Sequence, residues 1–183
     1  MEIRDLKYIL GYQKIIKVDE KVLRGSAAFT PIKVARLKLK GVNQIIDLRT
    51  TTIKGAKTAK AIEKFFCKCF NIKYISIPVT FMENLLPDEN LFKNTIAKIK
   101  ENKFKTYVHC HFGKHRTGEC IAYYQKQKKC DDASIIKELL ENGWNHKTDF
   151  EEKKYQTLLN FIKKYFPGEE NINIINEHKK RFV

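Results

Sequence analysis

The sequence predicts a single-domain α/β protein, with a central, mainly parallel sheet of four to five strands flanked on both faces by helices. Three observations carry this. Apolar runs of strand length alternate with segments of helical spacing. The 183 residues suffice for one sizeable core and leave little room for a second. No repeat, low-complexity block or Gly/Pro/Ser-rich linker interrupts the chain. The domain is expected over residues 1–166, with 167–183 a polar, basic-ended tail. With 43% apolar and 31% charged residues, intrinsic disorder is excluded.

In chain order, Val18–Leu23 is a short apolar-containing run stopped by Arg24-Gly25-Ser26. Thr30-Pro31 reads as an N-cap followed by proline at the first helical position. It opens a helix over Ile32–Leu39 that Gly41 ends. Val42–Leu48 (VNQIIDL) is a buried strand. Over Ala56–Cys69, Ala59, Ile62, Phe66 and Cys69 share one helical face, and Lys54, Lys57, Lys60, Lys64 and Lys68 make a basic stripe on another. After the strand Asn71–Val79 a loop runs through Pro87. Asp88 or a neighbour then caps a helix carrying Leu91, Phe92, Ile96 and Ile99. The strand Phe104–His109 enters a glycine-containing turn, and helical patterns follow over Gly118–Lys129, Ala133–Asn142 and Phe150–Phe166. Ligands of such sheets bind beyond the carboxyl ends of the strands. The loops Arg49–Gly55, Thr80–Pro87 and the segment after His109 are therefore expected to share one crevice.

Basic side chains outnumber acidic ones 36 to 21, a formal charge of +15. That field favours anionic partners: nucleic acid, acidic lipid, phosphorylated protein or a polyphosphorylated small molecule. It does not choose among them, and a lysine-rich solvated surface accounts for the same numbers. Five cysteines, at 67, 69, 110, 120 and 130, are an odd count in a chain too large to need disulfide staples. A reducing, cytoplasmic compartment is expected. No window approaches the roughly 18 consecutive apolar residues of a membrane span, so no transmembrane segment or secretory signal is expected.

The third loop reads His109-Cys110-His111-Phe112-Gly113-Lys114-His115-Arg116-Thr117-Gly118. A strand delivers Cys110 into a turn whose far end starts a helix. Successive backbone N–H groups then curl around one point, and the helix N-terminus adds its positive dipole end. The result is an anion cradle the size of one phosphate. Gly113 permits the tight fold. Arg116 closes the ring with a planar fork for two phosphate oxygens. The same field is expected to favour a Cys110 thiolate, placing a nucleophile inside a phosphate cradle.

This segment resembles the His-Cys-x5-Arg-Ser/Thr signature of the cysteine-dependent phosphatases, and its GKHRTG core looks most like the small atypical dual-specificity phosphatases of plants and fungi, some of which act on inositol pyrophosphates. The likeness extends to LRGS at 23–26 and IIDLR at 45–49, covering roughly residues 20 to 145. It implies the cysteine-phosphatase fold, Cys110 as nucleophile, and Arg116 with the amides of His111, Phe112, Gly113, Lys114 and His115 as the phosphate cradle. It further implies that the Thr117 hydroxyl stabilises the thiolate as leaving group and that His109 orients the loop from outside.

The family's aspartate general acid has no clear counterpart. In the loop before Pro87, Glu83 is the preferred candidate. Asp88 is second, since it fits better as a helix cap, and a site without a dedicated acid is third. Lys114 and His115 offer further cations to a second phosphate, and Arg49, Lys54 and Lys57 are candidates for a basic rim, with Arg49 holding a neighbouring loop through a carboxylate as the alternative. Phe112, Phe81 and Trp144 are available as the aromatic wall of a phosphotyrosine pocket.

The expected partner is an anionic phosphorylated substrate, a phosphoprotein or an inositol phosphate or phosphoinositide. The alternatives are an RNA 5′-phosphatase of the same superfamily and a non-catalytic phosphate-binding module. No aromatic-rich RNA-binding motif is present, so no stable nucleic-acid partner is expected. Zinc at His109, Cys110, His111, His115, Cys67 and Cys69 is disfavoured, because alternating neighbours in one loop point apart while zinc gathers ligand pairs from separate turns. No cofactor is implied.

Overall fold

The computed structural model describes residues 15–50, 56–79, 88–145 and 147–182. Five strands, β1 (Ile15–Lys17), β2 (Val22–Ser26), β3 (Val42–Asp47), β4 (Lys73–Ser76) and β5 (Lys105–Cys110), form one sheet in the order β1-β2-β5-β3-β4. β1 is antiparallel to β2, and the other pairings are parallel. Seven α-helices lie among the described residues: α1 (Pro31–Leu39), α2 (Ala56–Cys69), α3 (Glu89–Glu101), α4 (His115–Gln127), α5 (Asp132–Gly143), α6 (Glu152–Tyr165) and α7 (Glu169–Lys179). A 3₁₀ turn, Lys147–Phe150, precedes α6.

The sheet is covered on both faces, as parallel strands joined by helical crossovers require. On one face Val34 and Leu37 of α1 and Cys67 of α2 pack on Leu23, Val42, Ile45 and Tyr107. On the other, α3 to α7 close over Val22, Ile46 and Val108, with Phe92, Ile121, Leu139 and Phe161 at the centre. β5 holds the middle of the sheet, with its last five residues buried.

Local chemistry sets most boundaries where the sequence places them. Thr30 caps α1, its side chain accepting from Lys33 N–H, and Pro31 follows as the first helical residue. Gly41 takes the left-handed conformation that ends it (φ +82°). Asp88 caps α3, accepting from Asn90 N–H at 2.9 Å.

Four expectations are corrected. The run over 18–23 does not stop at Arg24. Strand β2 begins at Val22 and continues through Arg24-Gly25-Ser26, which are buried because Arg24 finds internal acceptors. α4 begins at His115, inside the motif, rather than at Gly118. In α2 the buried face is Glu63 and Cys67, while Ile62 (42% exposed) and Cys69 face outward. The buried carboxylate turns the helix away from its apolar stripe. Finally, much of 167–183 is helix α7, which is packed down. Ile175 is fully buried, Asn171 Nδ2 donates to Phe166 O (3.2 Å), and His178 Nε2–H donates to Trp144 O (2.7 Å).

Candidate active site

β5 delivers the signature loop between two parallel neighbours. Ser26 of β2 lies opposite Cys110 and Asp47 of β3 opposite His109. Backbone bonds tether the loop on both sides: Ala27 N–H donates to His111 O (3.0 Å) and Leu48 N–H to His109 O (2.8 Å). Gly113 sits at φ +74°, pressed against β2. A Cβ there would lie 2.2 Å from Gly25 C and O, so no other residue fits without moving the strand.

Beneath the loop runs the fully buried side chain of Arg24, which the sequence reading assigned no role. Its Nη2 donates to Gly113 O (3.0 Å) and Lys114 O (3.3 Å), and Nη1 to Glu138 Oε1 of α5 (2.8 Å). By binding both carbonyls, Arg24 satisfies buried backbone acceptors of the loop. α4 starts directly after Lys114 with no side chain capping its first turn. This end of the helix carries the positive pole of its dipole. Cys110 is buried at the strand end, Arg116 is half-buried in the first turn of α4, and Thr117 is fully buried. The Thr117 Oγ1 has no hydrogen-bond partner among the described residues.

His109 lies outside the cradle and anchors it. Its Nδ1–H donates to Cys110 O (2.9 Å), and its Nε2 is 3.0 Å from Glu63 Oε1. Glu63 also accepts from Ala28 N–H (2.8 Å) and pairs with Arg49. Arg49 grips Asp47 through Nε and Nη2, each at 2.9 Å, and Tyr74 donates to the same carboxylate. Burial pushes the carboxyls of Asp47 and Glu63 upward, but His109 and Arg49 outweigh it and hold both below the usual carboxylate range. Arg49 is therefore an internal strut, not a rim cation; its side chain is 5% exposed. Glu63 escaped sequence reading because it occupies a position that pattern alone gives to solvent.

Asp47, Glu63 and His109 bring potential metal ligands together, with donor atoms within 4.8 Å. The Arg49 guanidinium, bound to both carboxylates, already supplies the positive charge there. Cys67, beside this cluster, has its thiol pushed up to about 12 by burial and by Glu63 and Asp47, and is a core residue.

Lys114 and His115 face Asp149 of the 3₁₀ turn. Lys114 Nζ lies 3.1 Å from Asn145 Oδ1 and 3.5 Å from Asp149 Oδ2, and His115 Nε2 lies 3.1 Å from Asp149 Oδ1. His115 also packs on Trp144, with ring centroids 4.7 Å apart. Trp144 is buried and forms no open wall, whereas Phe112 is 66% exposed and meets His111 edge-on at 4.5 Å. Burial lowers the pKa of both His111 and His115, so each is neutral at pH 7. Lys57 is exposed on the first turn of α2, and Asp88 serves as the α3 cap. Lys54, Phe81 and Glu83 lie outside the described residues.

A cysteine followed by a glycine-pinned turn, an arginine and a helix N-terminus, at the carboxyl end of a central parallel strand, defines a cysteine-dependent phosphatase of the tyrosine/dual-specificity type. Residues 13–159 match the family described as DSP-PTPase phosphatase fused to NAD+ kinase, and the chain belongs to that family. No curated protein matches it in sequence.

Solved structures share the fold. A putative phosphatase (DUF442) of Shewanella putrefaciens CN-32 is 20% identical, with TM-score 0.63, covering 90% of this chain and 96% of its own. The core catalytic domain of the PP-IP phosphatase SIW14 of S. cerevisiae is 18% identical, with TM-score 0.61, covering 90% and 93%. TpbA of P. aeruginosa, solved in complex with phosphotyrosine, is 12% identical, with TM-score 0.63, covering 91% and 93%. Among the described residues no helix is long and apolar enough to cross a membrane.

Proposed function

We propose that this enzyme hydrolyses phosphate monoesters in two steps through a phosphocysteine at Cys110, with phosphotyrosine-type substrates preferred. The observation that carries the reading is the loop itself. Its carbonyls at Gly113 and Lys114 are tied back by Arg24, and α4 starts directly after Lys114 with no side chain capping its first turn.

In the first step the Cys110 thiolate attacks phosphorus, forming the S–P bond as the P–O bond to the leaving group breaks. Arg116 and the loop amides hold the equatorial charge. The leaving oxygen takes a proton from a carboxylic acid, for which Glu83 is the candidate. In the second step water attacks phosphorus and yields its proton to the carboxylate. The S–P bond breaks, and the sulfur leaves as a thiolate stabilised by the Thr117 hydroxyl.

Two features favour an aromatic monoester. The exposed Phe112 offers a ring to a phenyl phosphate beside the cradle, and TpbA, which shares the fold, is solved with phosphotyrosine. Lys114, the cation a second phosphate needs, is turned to Asp149, and so is the neutral His115 beside it. Inositol pyrophosphates are the second reading. The shared fold of the PP-IP phosphatase SIW14 and the net charge of +15 favour it.

The test is phosphate release from a phosphotyrosine peptide, a phosphoserine peptide, a phosphoinositide, an inositol pyrophosphate and a 5′-triphosphate RNA. Cys110→Ser should abolish turnover while phosphate still binds, and Arg116→Lys should nearly abolish it, since a point charge does not replace the fork. Turnover by the Cys110→Ser enzyme refutes the mechanism, and preference for the inositol pyrophosphate reverses the substrate order.

A further inference from the structure

Glu119 stands three residues after Arg116 in α4, so the two side chains leave the helix on the same face. It is fully buried, and neither carboxyl oxygen has a hydrogen-bond partner among the described residues. A carboxyl left without a partner in the interior is costly, and the mechanism above does not use it.

We propose that Glu119 is a positioning residue for Arg116 that makes anion binding by the cradle proton-linked: in alkaline solution its carboxylate is drawn to Arg116 while the cradle is empty, and it takes up a proton when an anion arrives. The inference rests on the cradle reading under Proposed function and adds a control on it.

The surroundings leave Arg116 as the charge that reaches Glu119. On the β2 side, Arg24 is bound to Glu138 of α5 and to the carbonyls of Gly113 and Lys114. On α3, Glu89 is tied to Lys93 and to Lys164 of α6. On β5, His109 is turned to Glu63. Next in sequence, the Cys120 thiol is pushed up to about 12 by burial and stays neutral. Burial raises the Glu119 carboxyl to about 8, with Arg116 acting in the opposite sense.

The sign follows. With Arg116 unliganded, its charge favours the Glu119 carboxylate. A dianion held by Arg116 cancels that attraction and repels the carboxylate, so the folded-state pKa rises on binding. Affinity is then highest below pH 8 and falls as pH rises through that value. At neutral pH the protonated acid leaves the Arg116 fork to the phosphate; at alkaline pH the carboxylate competes for it.

Calorimetric titration of the full chain carrying Cys110→Ser with sulfate, from pH 7 to 9 in two buffers of different ionisation enthalpy, tests this. Sulfate remains a dianion throughout, and removing the thiol removes its titration. The expected result is a Kd rising at least about fivefold between pH 7 and pH 9, with fractional proton uptake per sulfate bound. Adding Glu119→Gln, or independently Glu119→Met should the amide disturb folding, should flatten the slope and abolish the uptake. Lys33, which burial lowers to about 7, is common to all these proteins and cancels in the comparison. A purely structural role for Glu119 would alter the melting temperature and leave the proton count unchanged. Equal slopes and equal uptake with and without Glu119 overturn the proposal. Failure of sulfate to bind at any pH, with Glu119 intact, overturns the cradle reading itself.

Discussion

Replacing Glu63 by glutamine tests the strut behind the catalytic loop. The side chain keeps its size, and the amide oxygen can still accept from Ala28 N–H, so the perturbation is loss of one buried charge. Two groups face that charge: His109 Nε2 at 3.0 Å and the Arg49 guanidinium. Removing one member of a buried ion pair typically costs about 3–5 kcal/mol. Here Arg49 keeps both of its bonds to Asp47, so the cost falls at the low end, about 3 kcal/mol. For a chain of 183 residues that lowers the melting temperature by about 6–12 °C.

The assay is paired thermal and urea unfolding, with kcat measured on the folded variant. Because His109 Nδ1 holds Cys110 O, kcat should fall more than KM changes. The acid limb adds a signature. Asp47 and Glu63 are held below the ordinary carboxylate range, so their stabilisation is complete above about pH 4–5 and is lost as pH falls below that. The variant should show a shallower acid limb by one group. A loss under about 1 kcal/mol with unchanged kcat would refute the view that Glu63 acts as a charged strut.

Two other perturbations have defined outcomes. Gly113→Ala combines a left-handed φ with a Cβ 2.2 Å from the Gly25 backbone. It should cut kcat/KM by about 100-fold or more, since small displacements of a positioned site cost that much, and a value within threefold of the parent would show that the loop yields. Asp149→Asn weakens the hold on Lys114 and His115. It should lower KM for an inositol pyrophosphate relative to a phosphotyrosine peptide by several-fold, measured as the ratio of the two; an unchanged ratio would remove Lys114 from substrate selection.

The legible parts of this fold are those governed by local chemistry. Thr30-Pro31, Gly41 and Asp88 mark helix ends by hydrogen bonds and dihedrals confined to a few residues. The signature loop is equally local. Arg24 and Glu63 were not legible, because a buried charge is stable only through partners remote in sequence. Arg24 reaches Gly113 across 89 positions, and periodicity assigns such residues to solvent. The same limit left Arg49 divided between a rim cation and a carboxylate-bound strut and rotated the apolar face assigned to α2. The helix over Glu169–Lys179 was hidden for a different reason. It buries chiefly Ile175, Asn171 and His178, too few apolar groups to stand out in a polar segment.

That last helix bears on where a working version of this enzyme can be cut. The residues matched to the family end at 159, yet His178 holds the carbonyl of Trp144, and the Trp144 ring backs His115 in the catalytic loop. Phe182 stacks on Phe150, the last residue of the turn that carries Asp149. Trimming the protein to its family-matched span would leave the nucleophile and the arginine in place while removing the buttress from one wall of the site. A relative without a helix at this place would have to brace that wall with another element.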